Sequence, residues 1–263
     1  MFPHHQETIR RTTDHFAADP EVNALLLGGS IAHGFCAAQS DVDVMIVVSK
    51  ENFERRLDRD ATCFFSRELC TYPDGYVDGK YISESFLHQV RERGSEPARF
   101  AFQDAKVLFS RRSGDDLSKL IESIAEYPRA EKAERIWRFQ AQFEAWYWYC
   151  GEAIKRDNLP LLRTTVAKLT LFGGRLVLAH NERLYPFHKW FLRVLENAPE
   201  KPPQLLEQIE QLAQQPTRER IDVFAHGVRS FRSWEVSHAT WPAQFMRDSE
   251  MNWATHPPPI DDI

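Results

Sequence analysis

Three short stretches near the amino terminus carry residue types that could do chemistry together. They are Leu26-Leu27-Gly28-Gly29-Ser30, then Ile31-Ala32-His33-Gly34, then Ser40-Asp41-Val42-Asp43. Glycine at the end of a strand lets the backbone approach a bulky anion closely. Ser30 follows at the expected start of a helix, where its hydroxyl and the free backbone N–H groups can cradle a phosphate. Asp41 and Asp43 are one residue apart, so on a strand both side chains point to the same face. Two carboxylates on one face repel unless a cation lies between them. Hard oxygen donors of this kind suit Mg²⁺, which takes one or two carboxylates together with phosphate oxygens. A phosphate cradle beside a carboxylate pair describes a metal–nucleotide site.

The flanking residues set the elements that must position this group. Residues 5–18 read as an amphipathic helix with Ile9, Thr12 and Phe16 on one side, ended by Asp19-Pro20. Val22 to Leu27 is a buried strand running into Gly28-Gly29. Asp41 to Val48 is a second strand, alternating at first and then continuously apolar. A charged helix is expected over 50–59, and a third strand over Tyr76 to Ile82 after the turn Pro73-Asp74-Gly75. Ser83-Glu84-Ser85 opens a helix toward Arg93, and Lys106 to Phe109 is a further short strand. Beyond Arg112 to Asp115 the strand-like runs stop. Helical periodicity then covers 117–125, 129–156, 161–180, 187–195, 205–214 and 217–234, with an extended tail at His256 to Pro259. The fold class is therefore α+β. A mixed β-sheet domain with flanking helices, residues 1–115, is followed by an all-helical bundle domain, residues 116–263, the boundary falling between Ser110 and Arg129.

Composition agrees with this plan. The chain has 263 residues, one large domain or two ordinary ones at roughly 150 residues each. Hydrophobic residues are 43% and charged residues 27%, which excludes a largely disordered chain. No stretch approaches the roughly 20 consecutive apolar residues of a membrane span. The opening residues lack a basic head followed by an apolar run, so the expected compartment is the cytoplasm, with no membrane partner. The net charge of -5 argues against a general nucleic-acid binder. Cys36, Cys63, Cys70 and Cys150 form no metal-ligand spacing and read as free thiols.

Written as a pattern, the signature is h-G-G-S-x3-G-x5-S-D-x-D-h-h, and it resembles that of the nucleotidyltransferase superfamily, which includes DNA polymerase beta and the antibiotic nucleotidyltransferases. The resemblance covers roughly residues 22–82. It implies a catalytic domain of that fold, a nucleoside triphosphate as co-substrate, and paired Mg²⁺ ions held by Asp41 and Asp43. Gly29, Ser30 and Ser40 are the expected nucleotide contacts. The family carries a third carboxylate on a later strand, and Asp78 in Tyr76-Val77-Asp78-Gly79-Lys80 is the best candidate, as metal ligand or as acceptor of the proton from the attacking hydroxyl. Asp74 is less suited because its setting is turn chemistry. The Gly after Asp78 departs from the β-branched residue expected there.

The length, the early signature and the helical second half resemble the aminoglycoside nucleotidyltransferases, including the kanamycin enzyme. That resemblance implies transfer of a nucleoside monophosphate, AMP from ATP foremost, to a hydroxyl of a small molecule such as an aminoglycoside-type antibiotic. A protein or RNA acceptor, or an inactive nucleotide-binding module, are the other readings. In the kanamycin enzyme a Glu early in the second domain acts as general base. Glu144 flanks the apolar face of the long helix here and is preferred to Glu152, which pairs naturally with Lys155 and Arg156. Lys189 and Lys168 are the options for a cation against the triphosphate. Trp146 to Tyr149 read as core packing or as a ring wall, and monomer and homodimer both stay open.

Overall fold

The computed structural model describes residues 1–112, 114–234, 241–255 and 257; the expected tail from His256 to Pro259 otherwise lies outside them. The chain divides into two compact units, residues 1–126 and 127–263.

The first unit is built on five strands: β1 (Val22–Leu27), β2 (Val42–Val48), β3 (Cys63–Ser66), β4 (Val77–Ser83) and β5 (Lys106–Ser110). Their order is β3-β4-β2-β1-β5. Only β2 and β4 run parallel; the other pairs are antiparallel. Period-two alternation splits the apolar side chains into two layers. Leu25, Leu27, Val44, Ile46 and Val48 pack with Ile9 and Phe16 of α1 (Pro3–Ala18). On the opposite face Ala24, Leu26, Val47 and Ile82 pack with Leu87 and Val90 of α4 (Glu84–Arg93) and with Ile121 and Ile124 of α6 (Gly114–Ala125). The single turn α2 (Gly29–Ala32), α3 (Lys50–Leu57) and α5 (Glu96–Phe100) complete the unit. Ser49, Ser83 and Ser95 cap α3, α4 and α5, each hydroxyl accepting a backbone N–H three residues on.

The first unit departs from the sequence expectation at α6 and β3, and its short α5 has no counterpart there either. α6 belongs with the sheet, because Ile121 and Ile124 are buried against Leu87 and Val90, so the first unit runs past residue 115 to Glu126, inside the expected interval from Ser110 to Arg129. β3 has no counterpart in the sequence reading. It is four residues long and lies at the sheet edge with alternately exposed and half-buried residues, too short for its alternation to stand out.

Among the described residues the regular elements of the second unit are all helices. α7 (Lys132–Lys155) and α8 (Leu159–His180) pack along each other, joined by α9 (Phe191–Glu196), α10 (Leu205–Gln214), α11 (Arg218–Phe231) and the short α12 (Trp241–Phe245). Phe143, Cys150, Leu169, Leu176, Leu195, Phe224 and Val228 form its core. α8 starts two residues earlier than expected: Asn158 caps it and Pro160 occupies its first turn, where a missing N–H costs nothing. Among the described residues no helix is long and apolar enough to cross a membrane. All four cysteines are free thiols.

Candidate functional site

Strand register brings the signature residues into one row. Asp43 of β2 pairs with Asp78 of β4, and Asp78 pairs in turn with Phe65 of β3. On the other side the Gly28 N–H donates to the Asp43 carbonyl at 3.0 Å. The row Gly28, Asp43, Asp78, Phe65 thus crosses four strands, and directly paired residues present their side chains to the same face. It is the face that also carries Met45, Val47 and Ile82, the layer under α4 and α6. Asp41 precedes β2 and is fixed there by the Val42 N–H, which donates to the Tyr76 carbonyl at 3.1 Å.

The turn after β1 is shaped around Asp43. Gly29 has φ +61°, and a Cβ built on it would lie 1.7 Å from Asp43 Oδ2. Only glycine accepts both the left-handed backbone and that close carboxylate. Ser30 is 4% exposed, and its hydroxyl has no hydrogen-bond partner among the described residues. A buried hydroxyl left unpaired costs free energy unless a ligand or water completes it.

Tyr76 lies within the electrostatic reach of all three carboxylates. Its pKa is pushed up first by the negative charge of Asp41, then by burial, with Asp43 and Asp78 adding to the effect. One hydroxyl therefore feels all three acids. The glycine after Asp78 has a packing reason: a Cβ on Gly79 would lie 3.1 Å from both Ile46 Cδ1 and Val44 Cγ2, tighter than a side chain tolerates without movement. Asp74 lies apart, at φ +60° in the turn ahead of β4.

The other signature residues brace this arrangement. The Ser40 hydroxyl accepts the Ala37 N–H at 3.0 Å, and its carbonyl accepts the Tyr72 hydroxyl, so Ser40 shapes the loop that feeds Asp41. Burial pushes the Tyr72 pKa up. The His33 ring stacks on Phe100 at 4.5 Å with Nδ1 3.6 Å from Asp104 Oδ2. Burial lowers the His33 pKa, and Asp104 opposes the shift. Three neighbours of the acid row escape the sequence reading: Tyr76, Phe65 and Lys80. Lys80 is exposed on the face of Asp78, two residues along, and the alternation Asp78-Gly79-Lys80 is the signal that could have found it.

The helical unit holds the remaining candidates. Glu144 is buried on α7, and both its oxygens are engaged by Arg229 of α11, Nε to Oε1 at 2.9 Å with a closer second contact. The Arg229 guanidinium lies 4.2 Å from the centre of the Tyr147 ring. The Tyr147 hydroxyl donates to Asp222 and accepts from Arg218, both at 2.8 Å. Glu144, Tyr147, Trp148 and Arg229 line a cavity of about 490 Å³. Glu152 pairs with Arg156, which lowers its pKa chiefly through that hydrogen bond. Lys168 is exposed on α8 beside a cavity of about 710 Å³ that it shares with Arg138, Arg175, Phe139 and Trp146. Lys189 is exposed in a single helical turn, its ammonium 5.3 Å from the centre of the Trp190 ring. Of the ring cluster, Trp146 packs on Phe245 while Trp148 is largely exposed.

Among the described residues no three His, Cys, Asp or Glu side chains form a ready-made metal cage. The donors of the acid row are all carboxylate oxygens, hard ligands, and a Mg²⁺ site ordinarily takes one or two of these and completes its shell with substrate phosphates and water. The unpaired Ser30 hydroxyl lies on the turn that packs against Asp43. The residues present therefore suit a Mg²⁺ site that the substrate completes.

No family model matches the sequence. No curated protein matches it either. Among solved structures the chain is similar to a nucleotidyltransferase-like protein from Exiguobacterium sibiricum 255-15, at 16% identity and a TM-score of 0.49, over 94% of this chain and 80% of that one.

Proposed function

We propose that this chain is a Mg²⁺-dependent nucleotidyltransferase that moves a nucleoside monophosphate, AMP from ATP foremost, onto a hydroxyl of a small molecule. The observation that carries the reading is the single row in which Asp43 and Asp78 lie side by side, with Asp43 packed on Gly29 next to the unpaired Ser30 hydroxyl. Asp41 and Asp43 would hold Mg²⁺, whose charge neutralises the triphosphate and the leaving pyrophosphate. The Ser30 hydroxyl donates to a phosphate oxygen. Asp78 takes the proton of the acceptor hydroxyl as its oxygen bonds to the α-phosphorus and the bond to the β-phosphate oxygen breaks, releasing pyrophosphate. Lys80 offers a cation on the same face. Catalysis of this kind is mostly placement and charge stabilisation.

The resemblance makes an aminoglycoside-type antibiotic the first acceptor to assay. Both oxygens of Glu144 are engaged by Arg229, so the base of this proposal is Asp78 and not Glu144. The test is pyrophosphate release from each of the four nucleoside triphosphates with Mg²⁺, with and without a panel of aminoglycosides and lincosamides. Asp43→Asn serves as the control and should reduce release by at least about 10²-fold with far-UV circular dichroism unchanged. Absence of any Mg²⁺-dependent nucleotide binding would overturn the proposal.

A further inference from the structure

We infer that Phe65 and Tyr76 form a stacking platform for a planar ring of the substrate, at the end of the acid row farthest from the Gly28–Ser30 turn. The inference rests on the nucleotidyl-transfer reading and adds to it the chemistry of the group that lies beside the acids. A single exposed apolar side chain on a protein surface needs no explanation. Phe65 is different in three respects. It is 60% exposed, although it is a full aromatic ring. It lies directly opposite Asp78, on the face of Asp78 and Asp43. And it packs on Tyr76, ring centres 5.2 Å apart at 34°.

The geometry follows from the sheet. Neighbouring strands are about 4.8 Å apart, so the Phe65 backbone lies about 5 Å from that of Asp78 and about 10 Å from that of Asp43. A ring resting on Phe65 places its hydroxyl-bearing or phosphate-bearing substituent over the carboxylates. β3 is an edge strand, so no further strand flanks Phe65 on its outer side. Aromatic rings attract one another in offset or tilted contact beyond the area they bury. Two substrate parts carry such a ring: the nucleobase and an aromatic acceptor. Phe65 is separated from the phosphate-binding turn by both acids, which is the side from which an acceptor hydroxyl must approach.

The experiment measures binding without turnover, by calorimetry with Mg²⁺ present, on the wild-type chain, Phe65→Ala and Phe65→Trp. One pair of probes is ATP against inorganic tripolyphosphate, which differ by the nucleoside. The other is 4-nitrophenyl β-D-glucoside against methyl β-D-glucoside, which differ by the aromatic ring. In at least one pair the ring-bearing probe should bind between about threefold and tenfold more tightly to the wild type. Phe65→Ala should erase that preference and Phe65→Trp should keep it, the responding pair naming the ring. Equal affinities within both pairs, or a preference that Phe65→Ala leaves intact, would overturn the platform. A Phe65-dependent ring preference without Mg²⁺-dependent binding of ATP or tripolyphosphate would support the platform and sink nucleotidyl transfer instead.

Discussion

Gly29→Ala is the substitution that tests the site most sharply. Its Cβ would lie 1.7 Å from Asp43 Oδ2, at a backbone φ of +61°. Ordinary contact needs roughly 3.5 Å, so the carboxylate and the new methyl group must separate by roughly 1.8 Å. The left-handed backbone costs alanine roughly 1–2 kcal/mol. An Asp43 side chain pushed off its rotamer costs about 0.5–1.5 kcal/mol more. The expected loss of folding stability is therefore about 1.5–3.5 kcal/mol, read by urea denaturation. Turnover should suffer more: a displacement of about 1 Å at the chemistry costs on the order of 10²-fold. A double-mutant cycle separates the two causes. On an Asp43→Ala background the carboxylate is gone while the Cβ, 2.6 Å from the new methyl group, stays, so Gly29→Ala should there cost less by the roughly 0.5–1.5 kcal/mol of the displaced carboxylate. An identical cost on both backgrounds, with pyrophosphate release intact in Gly29→Ala, would refute the claim that Gly29 exists to seat the Asp43 carboxylate.

Two further expectations concern the rest of the molecule. Glu144→Ala leaves the half-buried Arg229 without its carboxylate and should destabilise the helical unit by about 2–3 kcal/mol, less than a fully buried pair because Arg229 is partly solvated; a loss below about 0.5 kcal/mol by urea denaturation would count against the ion pair as a structural element. The pKa values of His5 and His33 are lowered from 6.5, chiefly by burial, so the fold favours their neutral forms. The unfolded chain then binds more protons than the folded one as pH falls through 6.5, and stability must drop there. Thermal midpoints should hold steady above pH 7 and fall between about pH 6.5 and 5, with His5→Phe flattening the slope. A profile flat over that interval would contradict the burial of these rings.

Part of this site can be read directly from the sequence. The Asp41-Val42-Asp43 alternation specifies a shared face, because the side-chain period of a strand is two whatever the strand packs against. The apolar runs that became β1, β2 and β4 are equally local, as is the glycine turn after β1. The placement of Asp78 beside Asp43 was a choice among acids by residue setting, and the register of two parallel strands is what puts them side by side. Phe65 had no local signal: β3 is four residues long, and only its pairing with β4 brings that ring opposite Asp78. Tyr76 looked like the start of a strand, and its place beside Asp41 depends on β2, whose Val42 N–H donates to the Tyr76 carbonyl. Glu144 read as a residue flanking a cleft because helical periodicity shows which side it faces and not what waits there; Arg229, 85 residues later, supplies its partner. α6 carried a clear helical pattern, but the core that Ile121 and Ile124 would join was decided by Leu87 and Val90. Periodicity is a property of neighbouring residues and survives in the bare chain. Register, partner and layer come from segments far apart in sequence, so only the folded structure decides them.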